Sequence, residues 1–169
     1  IQFGGAHENQ RRPGTENVAA IAGMAAAAEW ILQDRVEEQD RQGSLRDRLW
    51  NQISSFPKAR QNGDSIHRLA NTLNVSFDGL SSETILMALD LEGICASSGS
   101  ACMVGSVVAS HVLLAMGLPV ALASSAIRFS LGHENTEAET DQAGEIITRV
   151  ISRIDSAKSR EKIEAYAVA

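Results

Sequence analysis

Two stretches of strict alternation constrain this chain most. Leu73, Val75 and Phe77 alternate with Thr72, Asn74 and Ser76, and Ile127, Phe129 and Leu131 alternate with Arg128 and Ser130. A period of two sends one set of side chains to each face, so both stretches predict half-buried β-strands. Around them the apolar period becomes helical. Val18, Ile21, Ala22, Ala25 and Ala28 share one face, Leu45, Leu49, Ile53 and Phe56 form an i, i+4 stripe ending before Pro57, and Ile146, Ile147, Val150, Ile151 and Ile154 form a third stripe. Asp78-Gly79 turns the chain, and Ser81 is placed to cap a helix over 83–91 that Gly93 ends. Thr136 and Glu139 make a T-x-x-E capping box opening the last helix. The order helix, strand, helix, strand, loop, helix, strand, helix predicts an α/β or α+β domain.

Finer expectations follow from local signals. The pattern over 18–56 is interrupted at Gly43-Ser44, which predicts a kinked helix or two helices meeting there. Ile94-Cys95-Ala96 reads as a short buried strand, with Cys95 a small apolar core residue. Ser110 is placed to cap a helix ending near Met116, where Gly117 and Pro119 stop it. The end beyond Lys158 is expected to fray.

Composition narrows the classes of function. The 169 residues are enough for one domain whose core buries roughly 70% of the unfolded surface. A net charge of -6 argues against non-specific binding to nucleic acid or an anionic membrane, and 4% aromatics leaves little for base stacking. No signal peptide or membrane span is legible, because the longest small-apolar run, 18–31, is mostly alanine and contains Glu29. Cys95 and Cys102 form no Cys-x-x-Cys pair, and His7, His67, His111 and His133 lack zinc-ligand spacing.

Three places could carry chemistry. Cys102 sits in a Ser/Gly-rich loop, within EGICASSGSACMVGSVVASHVLLAMG over 92–117, which keeps a thiol accessible as a packing cysteine does not require. Arg128, on the polar face of its strand, could hold a carboxylate bidentately or simply be an exposed strand arginine. Thr15 precedes the alanine-rich helix, as a plain N-cap or beside amides suited to phosphate.

Several spaced motifs then resemble one family. ASSGSAC at 96–102, SHVLLAMG at 110–117 and RFSLG at 128–132 resemble the cysteine desulfurases, the NifS/IscS-type enzymes of the class V aminotransferase superfamily. GTEN at 14–17, NVSF at 74–77, LMALDLEGI at 86–94 and NTEAE at 135–139 are similar to the same family, in the same order. The resemblance implies a fold type I pyridoxal-phosphate enzyme, a cytoplasmic homodimer that removes sulfur from L-cysteine and leaves L-alanine. It implies that Cys102 takes the sulfur as a persulfide for an acceptor such as an iron–sulfur scaffold protein. It likewise assigns the substrate carboxylate to Arg128 and the cofactor phosphate, across the dimer interface, to Thr15. Cys95 has no matching role.

The chain also departs from the family pattern. Ala6 and His7 stand where many relatives have glycine and glutamine, and Met103-Val104-Gly105 replaces a usual Ser/Thr-Ser-Gly. The family's Schiff-base lysine belongs to a His-Lys motif upstream of GTEN, whereas the lysines here are Lys58, Lys158 and Lys162. The expectation is therefore a C-terminal portion: 1–17 a connecting segment, 18–157 the small α/β domain of an α+β sandwich, and 158–169 a tail, inactive alone. A selenocysteine lyase and a non-enzymatic persulfide carrier are the competing readings.

Overall fold

The computed structural model describes residues 3–99 and 109–167, with side chains as far as residue 160. The chain divides into two units, Ile1–Glu37 and Glu38–Ala169.

In the first unit, β1 (Ala6–His7) and β2 (Arg12–Pro13) form a two-residue antiparallel ladder pairing Ala6 with Pro13 and His7 with Arg12. The connection holds Glu8, Asn9 and Gln10 at φ of 51°, 54° and 65°. Three successive non-glycine residues in the left-handed region cost on the order of 1–2 kcal/mol each. Gly14, at φ 92°, then swings the chain into α1 (Val18–Gln33). The cap of α1 is Asn17, whose side chain accepts from the Ala20 amide at 3.1 Å. Thr15 is therefore not the N-cap that its sequence context allowed. A capping oxygen must reach an amide two or three residues into the helix, and Asn17 stands at that distance.

The helix break also falls elsewhere than expected. α1 ends at Gln33 with Asp34 as C-cap, and α2 (Arg35–Ile53) runs unbroken through Gly43 and Ser44. Ser44 returns its hydroxyl to the Asp40 carbonyl at 3.0 Å, the back-bond that keeps a serine inside a helix.

The second unit is built on a three-stranded antiparallel sheet, order β3 (Ala59–Gln61), β4 (Thr72–Phe77), β5 (Ala126–Ser130). Leu73, Val75, Phe77, Ile127 and Phe129 all point to one face, as their alternation requires. That face is covered by α3 (Ser82–Leu91) and α6 (Glu137–Ala167), with Ile85, Leu89, Ile147, Val150 and Ile151 facing in and Leu49 and Ile53 of α2 closing the core. Phe56 tilts against Phe77 at a ring-centre distance of 6.4 Å. The capping box is formed: the Thr136 amide donates to Glu139 Oε2 at 2.9 Å, and the Glu139 amide to Thr136 Oγ1 at 3.2 Å.

Between the strands lie two short helices, α4 (His111–Ala115), with Ser110 as N-cap, and α5 (Val120–Ala123), opened by Pro119. The expected strand over 94–96 is absent; only Ser97 bridges to Arg128. Nor is Cys95 a core residue. Ile94 and Ala96 both pack against the core, so the residue between them faces outward, and Cys95 is exposed.

Candidate functional site

The sheet face opposite the core is polar, and it is where Arg128 lies. Ile127 and Phe129 are buried at 0% and 4% exposure, so Arg128 projects from the other side of β5. Its backbone N–H donates to the Ser97 carbonyl at 2.7 Å and its carbonyl accepts from the Ser97 amide at 3.1 Å. Both main-chain groups thus point away from β4, and the facing residue there, Asn74, is its non-hydrogen-bonded partner. The Arg128 Nε is buried and has no hydrogen-bond partner among the described residues. A guanidinium N–H left in that state costs free energy until an acceptor arrives.

A cavity of about 240 Å³ opens beside Arg128, lined also by Asn62, Thr72, Asn74, Gly99 and Ser110. Cys102 lies outside the described residues. Gly99, which precedes the stretch that holds it, and Ser110, two residues past the end of that stretch, both border the Arg128 cavity.

On the polar face three side chains form a chain running across the strands. Ser76 Oγ donates to the Leu122 carbonyl at 2.8 Å, and Asn62 Nδ2 donates to both Ser76 Oγ at 2.8 Å and Asn74 Oδ1 at 2.7 Å. Sequence reasoning passed over Asn62 and Asn74. The alternation that put Arg128 on this face also put Asn74 there, so that signal was available; Asn62 carried none.

The turn after β5 is fastened from α2. Arg41 donates to the carbonyls of Asn135 at 2.6 Å, His133 at 2.8 Å and Gly132 at 3.2 Å, while its Nε meets Glu38 at 2.7 Å. The Arg41 guanidinium holds the Glu38 carboxyl down to about 2, against a partial burial that opposes it and with help from Gln42. Thr15 belongs to the other unit, where it is exposed, one residue before Glu16, whose carboxylate lies 3.5 Å from His7 Nδ1.

A second cavity, about 420 Å³, lies beside Cys95, Leu131, Asn135 and Ile146. Among the described residues no cluster of histidine, cysteine and carboxylate side chains could hold a metal ion, and no helix is long and apolar enough to cross a membrane.

Residues 5–143 match the family model described as aminotransferase class-V, so the chain belongs to that family. Within the family it is similar to enzymes named for removing sulfur from cysteine. Cysteine desulfurase 2 of Trichormus variabilis is 43% identical over 155 residues, covering 91% of this chain and 39% of that protein. Cysteine desulfurase IscS of Methanosarcina thermophila is 40% identical over 155 residues, covering 91% of this chain and 38% of that protein. The solved structure of a NifS-like protein from Rickettsia africae superposes with a TM-score of 0.78 at 30% identity, over 90% of this chain and 39% of that one. The fold is a portion of the NifS-like fold, and the chain spans under two-fifths of the length of these relatives.

Proposed function

We propose that this chain is the carboxylate-holding and sulfur-receiving portion of a pyridoxal-phosphate-dependent cysteine desulfurase that turns L-cysteine into L-alanine. The observation that carries the reading is the Arg128 cavity: a buried Nε on a strand, without a partner among the described residues, bordered by Gly99 before the Cys102 stretch and Ser110 after it. A guanidinium so placed takes the α-carboxylate of an amino acid, two N–H groups to two oxygens. Cys102, as thiolate, attacks the substrate sulfur. A sulfur–sulfur bond forms, the carbon–sulfur bond breaks, and its electron pair stays on the carbon that takes a proton to become the alanine methyl group. The persulfide on Cys102 then passes its outer sulfur to the nucleophile of an acceptor, which we take to be an iron–sulfur scaffold protein.

Neither lysine whose side chain is described, Lys58 or Lys158, fits covalent attachment of the cofactor. A Schiff base needs a free lysine amine in the site. Lys58 instead pairs with Asp155 at 2.5 Å, and Lys158 donates to the Gly79 carbonyl. No step is therefore routed through pyridoxal phosphate here. Thr15 is proposed to meet its phosphate across the interface of a cytoplasmic homodimer, with 18–157 as the small domain.

Alanine release from L-cysteine, with pyridoxal phosphate added to the 169-residue chain, tests this division of labour. The expected result is no release. Clear turnover by this chain would overturn it, and sulfur uptake by Cys102 from a donor without cofactor would point to a carrier instead.

A further inference from the structure

We infer that Asn74 is a second carboxylate-binding residue beside Arg128, held as a donor by a directional chain of hydrogen bonds through Ser76 and Asn62. The inference rests on reading the Arg128 cavity as a carboxylate site. Direction in the chain is set at its anchored end. Ser76 is fully buried, and its single hydroxyl proton goes to the Leu122 carbonyl at 2.8 Å. Its oxygen can then only accept, and it does so from Asn62 Nδ2 at 2.8 Å. The other Nδ2 contact of Asn62 is with Asn74 Oδ1 at 2.7 Å. An amide is planar, with its oxygen and nitrogen on opposite sides. With Oδ1 committed to Asn62 toward β3, the Nδ2 of Asn74 turns the other way, toward β5 and the cavity that Asn74 lines. A flipped Asn74 would set two NH2 groups against each other, leaving buried donors without acceptors.

The register completes the geometry. Asn74 faces Arg128 as a non-hydrogen-bonded pair, the arrangement in which cross-strand side chains come closest. Thr72, the next residue on this face, spends its hydroxyl proton on Asn71 Oδ1 at 3.1 Å and adds no donor. Among the described residues the cavity thus presents one guanidinium and one amide nitrogen as donors, beside the Ser110 hydroxyl, with a single positive charge. That set suits a planar monoanion such as an α-carboxylate. Asn62 and Ser76 are positioning residues, acting only through Asn74.

Isotope-labelled chain of 169 residues, titrated with L-alanine, tests this by NMR. The Arg128 Nε–Hε and Asn74 Nδ2–H2 resonances should shift together with one apparent Kd, and an NOE should join them before ligand is added. Asn74→Ala should weaken binding about tenfold, and Asn62→Ala, which frees the amide to turn, about threefold while abolishing that NOE. Wild-type affinity in both asparagine variants, alongside loss in Arg128→Gln, would overturn the second donor and leave the Arg128 site standing. Unchanged affinity in Arg128→Gln, or no shift in the wild type, would remove the carboxylate reading itself. Absence of the NOE in the unmutated chain overturns the relay without relying on any variant's folding.

Discussion

Replacing Gly144 by alanine sets two opposing effects against each other at the contact between α2 and α6. A Cβ on Gly144 would lie 2.3 Å from Gln52 Oε1, 2.5 Å from its Cδ and 3.0 Å from its Nε2. No real side chain tolerates such distances, so Gln52 must move. Gln52 is half-buried and its amide donates to Asp141 Oδ1 at 3.0 Å, so moving it also breaks that bond. On the other side, alanine in place of a mid-helix glycine favours the helix by about 1 kcal/mol. The Gln52 atoms are the far end of a flexible side chain that can swing aside, so the cost is the lost bond to Asp141, about 0.5–1.5 kcal/mol, and it offsets the helical gain to leave a net change within about 0.5 kcal/mol. Urea unfolding of Gly144→Ala should therefore give a midpoint close to that of the unsubstituted chain, with Tm moved by less than about 2 °C. In a Gln52→Ala background the obstacle is gone, and the same substitution should stabilise by up to about 1 kcal/mol. A loss beyond about 1 kcal/mol in the wild-type background, or no gain once Gln52 is gone, would refute the reasoning.

Other expectations follow from the same contacts. Glu38, held from 4.5 down to about 2 mainly by its bond to Arg41, contributes stability that is complete above pH 4.5 and lost as pH falls toward about 2. Glu38→Gln should flatten the acid limb of a plot of urea midpoint against pH over that window. Arg41→Met should raise amide exchange near 132–135, where three carbonyls lose their donor. Ile127→Ala, at a fully buried position in the central core, should cost about 2–5 kcal/mol in equilibrium unfolding. In the proposed desulfurase, Arg128→Lys should raise KM for L-cysteine more than it lowers kcat, because an ammonium cannot reproduce the two-pronged grip.

Much of the second unit was legible because its signals are periodic. The alternation at 72–77 set the boundaries of β4, and that at 127–131 placed Arg128 on the polar face, since burial of Ile127 and Phe129 leaves it no other side. The capping box at Thr136 and Glu139 formed as spelled. What escaped lacked a period or depended on tertiary contacts. β3 is only three residues, Ala59–Gln61, too short for alternation to register. The glycine and serine at 43–44 looked like a break, yet the helix continues, because Arg41 and Arg46 are fastened to distant carbonyls on either side of them. Cys95 was read as core because it sits between apolar neighbours; those neighbours face in and turn it out. At the site, Arg128 could be found from its strand and its family resemblance. The chain from Ser76 through Asn62 to Asn74 could not, since it depends on Asn62, one residue past β3, meeting two residues of β4 that are distant in sequence.

The central claim is that sulfur from L-cysteine passes to Cys102 beside a carboxylate held by Arg128. Peptide mass spectrometry of the proposed desulfurase, alkylated after a brief exposure to L-cysteine, tests it most directly. The account predicts one added sulfur atom on the peptide carrying Cys102, none on the peptide carrying Cys95, and loss of the signal in Arg128→Gln. Sulfur on Cys95, or alanine formed with no sulfur on Cys102, would contradict it.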